Sequence, residues 1–256
     1  MSGERMWRKT TQELMPARRP PAPPGRYDIY PGFPAGPGAI EIGYEALARN
    51  ALPDTKYGPA DLFMLATQLD KAAELSRLMR SVALEDAPGL PGGELRVFIN
   101  AHPKEMASAD FASSLRWVSD ALPDQIPVLE IHEGAITDPK AMRRLRDELS
   151  DMRIELAYDD FGAGRSRLRE LTEVPPDFIK LDMSLIRGID TNAPRQDLVR
   201  ALTKVMVDLG IAVLAEGIET EAEYLACVEL GCELGQGYLI ERPQPVASLR
   251  ELSRGA

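Results

Sequence analysis

Apolar residues recur with two periods along most of the chain. Short apolar runs rich in β-branched residues predict buried strands, and stretches whose apolar residues lie three and four positions apart predict amphipathic helices. From residue 39 onward the two patterns alternate. The strands predicted in this way span residues 40–47, 96–100, 128–132, 154–157, 178–182, 211–215 and 238–240. Such alternation is typical of parallel sheets whose strands are joined by right-handed helical crossovers.

Capping residues mark where several of the intervening helices begin and end. Asp138 and Pro139 open one helix as its N-cap and first helical position, and Thr220 with Glu223 forms a capping box for another. Pro59 opens a helix with one apolar face, formed by Leu62, Leu65, Ala66, Leu69, Ala72 and Ala73. A later helix ends at Gly210 and carries an apolar stripe of Leu198, Leu202, Val205 and Leu209.

Polar side chains lie in or just after nearly every predicted strand. They are Glu45, Asn100, Glu130, Asp159, Asp160, Lys180, Asp182, Glu216 and Gln236. In a closed β/α barrel the C-terminal ends of the strands meet at one mouth, where enzymes of this architecture place their chemistry. An open doubly wound sheet would gather polar groups only at its switch point, and no glycine-rich phosphate fingerprint follows the first strand. The sequence therefore predicts an α/β barrel of the TIM type.

The composition fits a soluble protein of one large domain or two small ones. The chain has 256 residues, 44% of them hydrophobic, and a net charge of −10, which argues against binding to nucleic-acid polymers or membranes. No apolar run approaches the ~20 residues that cross a bilayer, and a cytoplasmic location is expected. Cys227 and Cys232 are the only cysteines, which predicts reduced thiols rather than a disulfide framework or a zinc site.

The first residues differ in composition from the rest of the chain. Prolines and arginines crowd residues 1–26, and proline forbids a long helix and favours extended, poorly packed backbone. We interpret residues 1–26 as a flexible tail or linker, which would connect to a sensor or partner domain, and residues 27–256 as the barrel domain. Residues 27–33 are compatible with a short edge strand.

The stretch around Asp159 and Asp160 carries the clearest chemical signal. An apolar strand delivers these two adjacent carboxylates into a loop that contains Gly162 and Gly164. A solvated surface turn is one interpretation, but adjacent acids repel each other, and a divalent cation holds them together. The strand ends supply further oxygen donors, which gives a predicted ligand set of Glu45, Asn100, Glu130, Asp159 and Asp160. Such a set suits Mg²⁺, Mn²⁺ or Ca²⁺, and its carboxylates suffice for the pair of ions that is usual in phosphoester hydrolysis.

Two more strand residues extend this interpretation. Lys180 lies on the strand that follows the Asp159–Asp160 pair, where its ammonium group could stabilise charge that develops on a phosphoryl group. The alternative is an ion pair between Lys180 and Asp182 that only lines the barrel. Glu216 emerges from an apolar strand and could bind a metal through water or accept a proton from that water.

Six motifs in order give the chain a specific resemblance. They read GYEALAR, LEIHE, DDFGAG, IKLD, AEGIE and GQGYL, and in this order and spacing they resemble the EAL-domain family over residues 27–245. The resemblance implies a modified (β/α)₈ barrel with one antiparallel strand. It also implies an enzyme that hydrolyses cyclic di-GMP to linear pGpG, with water activated by two Mg²⁺ or Mn²⁺ ions, and that forms a homodimer.

The resemblance also implies roles for individual residues. The predicted ligand set matches the metal ligands of the family, and Lys180, Glu216 and Glu45 match its catalytic residues. Arg49, Leu47 and Gln236 match substrate-binding residues, and Glu133 matches the residue that holds the loop after the DDFG motif.

The chain departs from the family pattern on the substrate side. The first-strand segment, Tyr30 to Phe33, lacks the glutamine that usually grips the ligand, and Ala163 replaces a threonine. These departures keep three alternatives open: a receptor that binds cyclic di-GMP without efficient hydrolysis, a protein-interaction module, and a phosphodiesterase for another phosphoester. The complete set of predicted metal ligands favours the enzyme.

Overall fold

The computed structural model describes residues 12–19, 40–48, 58–86, 95–132, 138–164 and 168–245. The strands are β1 Gln12–Arg19, β2 Ile40–Ala48, β3 Arg96–Ala101, β4 Ile126–His132, β5 Glu155–Phe161, β6 Phe178–Leu181, β7 Ala212–Ala215, β8 Leu234–Gly235 and β9 Gln244–Pro245. The helices are α1 Pro59–Gln68, α2 Ala72–Asp86, α3 Pro103–Met106, α4 Phe111–Ala121, α5 Pro139–Asp151, α6 Leu168–Glu173, α7 Met183–Ile186, α8 Ala193–Asp208 and α9 Glu221–Glu229, with a 3₁₀ turn at Ile189–Thr191. Within these ranges no helix is long and apolar enough to cross a bilayer.

The strands form a closed barrel. Strands β2 to β8 are parallel neighbours in chain order. Strand β1 runs antiparallel between β2 and β8 and pairs with both, which closes the ring. The predicted TIM-type barrel with one antiparallel strand is confirmed.

Strand β1 lies inside the segment that the composition assigns to a flexible tail. Its residues pair with β2 from Gln12 opposite Ala48 to Arg19 opposite Ile40, and the register shifts between Ala17 and Arg18. A proline within a strand is tolerated at edges and irregularities, and Pro16 lies beside this shift. Residues 12–19 therefore belong to the barrel sheet, so the interpretation of residues 1–26 as a flexible tail is wrong for this stretch, and the barrel domain begins before residue 27. The edge strand at residues 27–33 lies outside the described residues.

The last parallel strand begins earlier than predicted. Strand β8 spans Leu234–Gly235, before Gln236, and residues 238–240 form a turn. Gly237 explains the difference, because its backbone packs against Ile218 so closely that an added Cβ would lie 2.2 Å from the Ile218 carbonyl oxygen. The chain turns at this contact, and the apolar residues that follow it do not continue the strand.

Two predicted apolar stripes pack differently from their sequence pattern. The face expected from Leu62 to Ala73 is divided between α1 and α2 by a turn in which Asp70 has a φ of 55°. On α8 the stripe that includes Leu198 and Val205 is mostly exposed, and the buried residues are Val199, Thr203 and Met206. Both faces of α8 carry apolar residues, so periodicity alone cannot select the inner one.

The barrel interior consists of stacked layers of side chains. One apolar layer takes a single residue from each of six strands: Phe98, Val128, Ala157, Phe178, Leu214 and Leu234. Because alternate strand residues face the same side of a sheet, the residues two positions further along each strand also point inward. A larger apolar cluster fills the space between the strands and the surrounding helices.

Gly43 allows close packing between β2 and β3. A Cβ at this position would lie 2.3 Å from the carbonyl oxygen of Arg96, and β3 is paired on both sides and cannot move away. We expect Gly43→Ala to lower the free energy of unfolding by about 1–3 kcal/mol, the usual cost of overpacking. Denaturant unfolding measures this change. Gly164→Ala is the control, because an added Cβ there would have no neighbour within 4 Å; equal losses in both variants would contradict the prediction.

Candidate active site

A layer of polar side chains closes the barrel interior at the C-terminal ends of the strands. Six of its members lie two residues beyond the apolar layer: Asn100, Glu130, Asp159, Lys180, Glu216 and Gln236. Glu45 joins them from β2. The alternation along each strand therefore places one polar group per strand at the same mouth.

Lys180 lies at the centre of this layer. Its side chain is 1% exposed, and its ammonium nitrogen lies within reach of four carboxylates: Glu130 Oε1 at 2.6 Å, Glu216 Oε1 at 2.9 Å, Asp159 Oδ1 at 3.1 Å and Glu45 Oε2 at 3.3 Å. Lys180 does not form the barrel-lining ion pair with Asp182 that was the alternative prediction. Asp182 instead caps α7, since its carboxylate accepts a hydrogen bond from the Ser184 N–H.

Two amide side chains orient the carboxylates. Asn100 Nδ2 donates to Glu130 Oε2 at 2.9 Å, and Gln236 Nε2 donates to Glu45 Oε2. Because each amide nitrogen is used in this way, the amide oxygen of Asn100 remains as a possible metal ligand.

An irregularity in β5 lets neighbouring aspartates serve one site. The register between β5 and β6 shifts between Tyr158 and Phe161, and Asp160 has a φ of 55°. Such a bulge re-aims a side chain that would otherwise point away. Carboxylate oxygens of Asp159, Asp160 and Glu216 consequently lie within 4.8 Å of one another.

The density of negative charge shifts the protonation of the site. Burial and the neighbouring carboxylates raise the pKa of Glu216 to about 8 and raise the pKa of Glu130 well above its usual value. Burial and the charge of Asp159 raise the pKa of Asp160. Burial opposes the charged form of Lys180, but the surrounding carboxylates outweigh it and raise the pKa of the ammonium group. One lysine does not neutralise these acids, and a divalent cation that binds them displaces their protons.

The donor set fits divalent metal ions that prefer oxygen. The residues that would hold them are those of the predicted ligand set, and all five lie at the barrel mouth: Glu45, Asn100, Glu130, Asp159 and Asp160. Carboxylate and amide oxygens suit Mg²⁺, Mn²⁺ and Ca²⁺. His132 Nε2 lies 3.4 Å from Asp160 Oδ2.

Two cavities meet at Leu47 and Asp160, and the smaller one is lined by the carboxylates of Glu45, Asp159, Asp160 and Glu216. The larger, of about 630 Å³, lies toward α1 and α2, and the smaller, of about 320 Å³, lies toward β7 and β8. In the larger cavity the ring of His102 stacks on Phe63, with centroids 5.2 Å apart and planes inclined by 3°. Leu47 is thus placed where both cavities meet.

Sequence reasoning missed two aromatic residues that line these cavities. Phe63 lies on α1, and no sequence signal distinguishes it from a core residue. Tyr238 lines the smaller cavity, but the chain turns after Gly237, so strand spacing could not have identified it. Arg49 and Glu133, which were predicted to contact the substrate and to hold a loop, lie outside the described residues.

The loop that carries Glu216 is held by the predicted capping box. Glu223 accepts hydrogen bonds from the backbone N–H groups of Gly188, Glu219 and Thr220 at 2.8, 3.0 and 3.1 Å, and Thr220 Oγ1 accepts from the Glu223 N–H. One carboxylate therefore joins the loop after β7 to the loop after α7.

Comparisons with known proteins agree with the motifs. A family model described as EAL domain matches residues 39–243. The cyclic di-GMP phosphodiesterase RocR of Pseudomonas aeruginosa is 32% identical over 157 residues, which are 60% of this chain and 40% of that protein. The chain spans well under half the length of the curated relatives that it matches.

Solved structures show the same architecture. BlrP1 of Klebsiella pneumoniae, in complex with manganese and cyclic di-GMP, matches with a TM-score of 0.75 and 29% identity over 93% of this chain and 56% of that one. The PaMucR phosphodiesterase in complex with cyclic di-GMP matches with a TM-score of 0.76 and 25% identity over 94% of both chains.

Proposed function

Because the chain belongs to the EAL domain family, we propose that it is a metal-dependent phosphodiesterase that hydrolyses cyclic di-GMP to linear pGpG. The observation that carries this proposal is the cluster at the barrel mouth, in which four carboxylates surround one buried lysine. The names of the similar proteins, which include a cyclic di-GMP phosphodiesterase and complexes with cyclic di-GMP, support the choice of substrate.

The side chains of the cluster have different roles in the proposed reaction. When bound to the five oxygen donors, two Mg²⁺ or Mn²⁺ ions would activate water and neutralise charge on the phosphodiester. Glu216 accepts the proton of the attacking water as its oxygen bonds to phosphorus. Lys180 stabilises the negative charge that develops on the phosphoryl oxygens. The bond from phosphorus to the 3′ oxygen breaks, and that oxygen takes up a proton from solvent and leaves as the 3′ hydroxyl of the linear product.

The shape of the site supports a substrate with two bases. Cyclic di-GMP carries one guanine on each side of its phosphodiester ring. The smaller cavity is lined by carboxylates of the acidic cluster, and the larger cavity adjoins it. Leu47 and Asp160 line both cavities. We infer that one base enters the larger cavity toward α1 and α2, that the other enters the smaller cavity toward β8, and that the scissile phosphate faces the carboxylates that line the smaller cavity.

Phe63→Ala is expected to raise the Michaelis constant for cyclic di-GMP by roughly tenfold with a smaller change in kcat, because base stacking on an aromatic ring contributes about 1–3 kcal/mol. Steady-state kinetics measure both constants. Trp117→Ala is the matched control, since Trp117 is 44% exposed on α4 and lines neither cavity. An unchanged Michaelis constant in Phe63→Ala would exclude stacking of a base on this ring.

A receptor that binds cyclic di-GMP without efficient hydrolysis is the second candidate, and the replacement of a threonine by Ala163 after Asp160 favours it. The missing first-strand glutamine does not, because the strand antiparallel to β2 is Gln12–Arg19, which begins with a glutamine, and not residues 30–33. Incubation with cyclic di-GMP and Mg²⁺ or Mn²⁺, with and without chelator, distinguishes the two by chromatography. Linear product that disappears with chelator supports the enzyme. Tight binding by calorimetry without product supports the receptor, and turnover of another phosphoester alone supports the third alternative.

The remaining expectations about partners and location stay predictions. They are a homodimer, a sensor or partner domain joined through the N-terminal segment, a cytoplasmic location, and no binding to membranes or nucleic-acid polymers.

A further inference from the structure

We propose that the buried ion pair of Arg80 and Glu105 is a positioning element that fixes Asn100 for metal binding. This inference rests on the proposed metal site, in which Asn100 is a ligand. Arg80 lies on α2 and Glu105 on α3, and their side chains are 1% and 0% exposed. Within the described residues, neither side chain forms a hydrogen bond or ion pair with the four carboxylates around Lys180, whereas Arg80 bonds directly to the backbone of Asn100.

The guanidinium group of Arg80 connects three elements. Its Nη1 donates to Glu105 Oε2 at 3.1 Å and to the backbone carbonyl of Asn100 at 3.3 Å. Its Nη2 donates to Glu105 Oε1 and to Ser114 Oγ on α4, the latter at 2.7 Å. The end of β3 is therefore tied to α2, α3 and α4 at the residue that carries the amide ligand.

A second contact fixes the same segment two residues later. The His102 N–H donates to Ser76 Oγ at 3.1 Å, and Ser76 is buried one helical turn before Arg80 on α2. The backbone on both sides of Ala101 is thus held by side chains of one helix. This arrangement fixes the backbone at Asn100 and therefore the direction of its side chain.

The side chain of Asn100 carries the constraint into the metal site. Its Nδ2 donates to Glu130 Oε2 at 2.9 Å, and Glu130 lies 2.6 Å from Lys180 Nζ. A buried ion pair contributes little net stability compared with apolar residues of similar volume. The effect specific to this pair is therefore the orientation of Asn100. Residues that orient metal ligands in this way contribute about 10–100-fold to metal affinity.

The test removes the pair without leaving a buried charge. The double variant Arg80→Met, Glu105→Met replaces both partners with apolar side chains, an exchange that proteins often tolerate. The matched control is Arg96→Met, Glu155→Met. Arg96 and Glu155 form a two-bond ion pair of 2.6 and 3.0 Å at the opposite end of the same strand, β3.

Calorimetric titration of Mn²⁺ into each folded protein gives the readout. We expect the Arg80/Glu105 variant to bind Mn²⁺ about 10–100-fold more weakly than the unaltered protein, and the Arg96/Glu155 control to bind as the unaltered protein does. In an Asn100→Ala background the Arg80/Glu105 exchange should cause no further loss, because a residue that acts through Asn100 has nothing left to orient.

Three results overturn the inference. Equal Mn²⁺ affinity in the Arg80/Glu105 variant and the unaltered protein would make the pair structural only. The same loss in the Asn100→Ala background would show that the pair does not act through Asn100. No Mn²⁺ binding by the unaltered protein would remove the proposed function, and the inference with it.

Discussion

Lys180→Met is expected to lower the rate of cyclic di-GMP hydrolysis by about 10²–10³-fold, the usual effect of removing one group that stabilises transition-state charge. The ammonium group is buried and lies within 3.3 Å of four carboxylates. In such a site a fixed positive charge acts with little screening by water. The rate of formation of linear product at saturating substrate measures the effect.

The same variant should also change the response of the protein to metal. Without Lys180 the four carboxylates have no cation between them, so the metal-free variant should unfold at a lower temperature than the unaltered protein. Mn²⁺ should raise its melting temperature more than that of the unaltered protein. Lys204→Met is the control, because Lys204 pairs with Asp208 on the exposed face of α8. Full activity in Lys180→Met would exclude the proposed role.

Arg80→Met alone is expected to lower the free energy of unfolding by about 3–5 kcal/mol, because it leaves the buried carboxylate of Glu105 without its partner. The double variant Arg80→Met, Glu105→Met should recover most of this loss, since no buried charge remains. Denaturant unfolding of the metal-free proteins measures both changes without involving the proposed metal site.

The Arg96–Glu155 pair provides the comparison for this prediction. Its side chains are 28% and 26% exposed, so Arg96→Met leaves a carboxylate that water can reach and should cost less than Arg80→Met. A single variant Arg80→Met that unfolds with the same free energy as the unaltered protein would show that Glu105 is readily solvated or protonated.

The barrel and its polar mouth were predictable from the sequence because both follow from strand alternation. In or just after five of the predicted strands the polar residue lies two positions after an inward apolar residue, and this spacing needs no knowledge of distant contacts. The helix at Asp138 and the capping box of Thr220 and Glu223 were predictable for the same reason, since their signals are local.

The features that the sequence did not predict depend on contacts between distant parts of the chain. Strand β1 was hidden by Pro16 and by the prolines that follow it, and only its pairing with β2 and β8 makes it a strand. The early end of β8 is set by the contact between Gly237 and Ile218. The pair of Arg80 and Glu105 joins two helices 25 residues apart, and nothing in either helix indicates the other. Lys180 was identified, but the number of carboxylates around it appears only when the barrel closes.

Hydrolysis of cyclic di-GMP in water enriched in ¹⁸O is the measurement that tests the central claim most directly. With Mn²⁺ present, the account predicts linear pGpG with one heavy oxygen in its 5′ phosphate, because water attacks the phosphorus and the 3′ oxygen leaves. Mass spectrometry detects the label, and a chelator should abolish the product. Cyclic di-GMP that stays intact with metal present, or linear product without the heavy oxygen, would contradict the account.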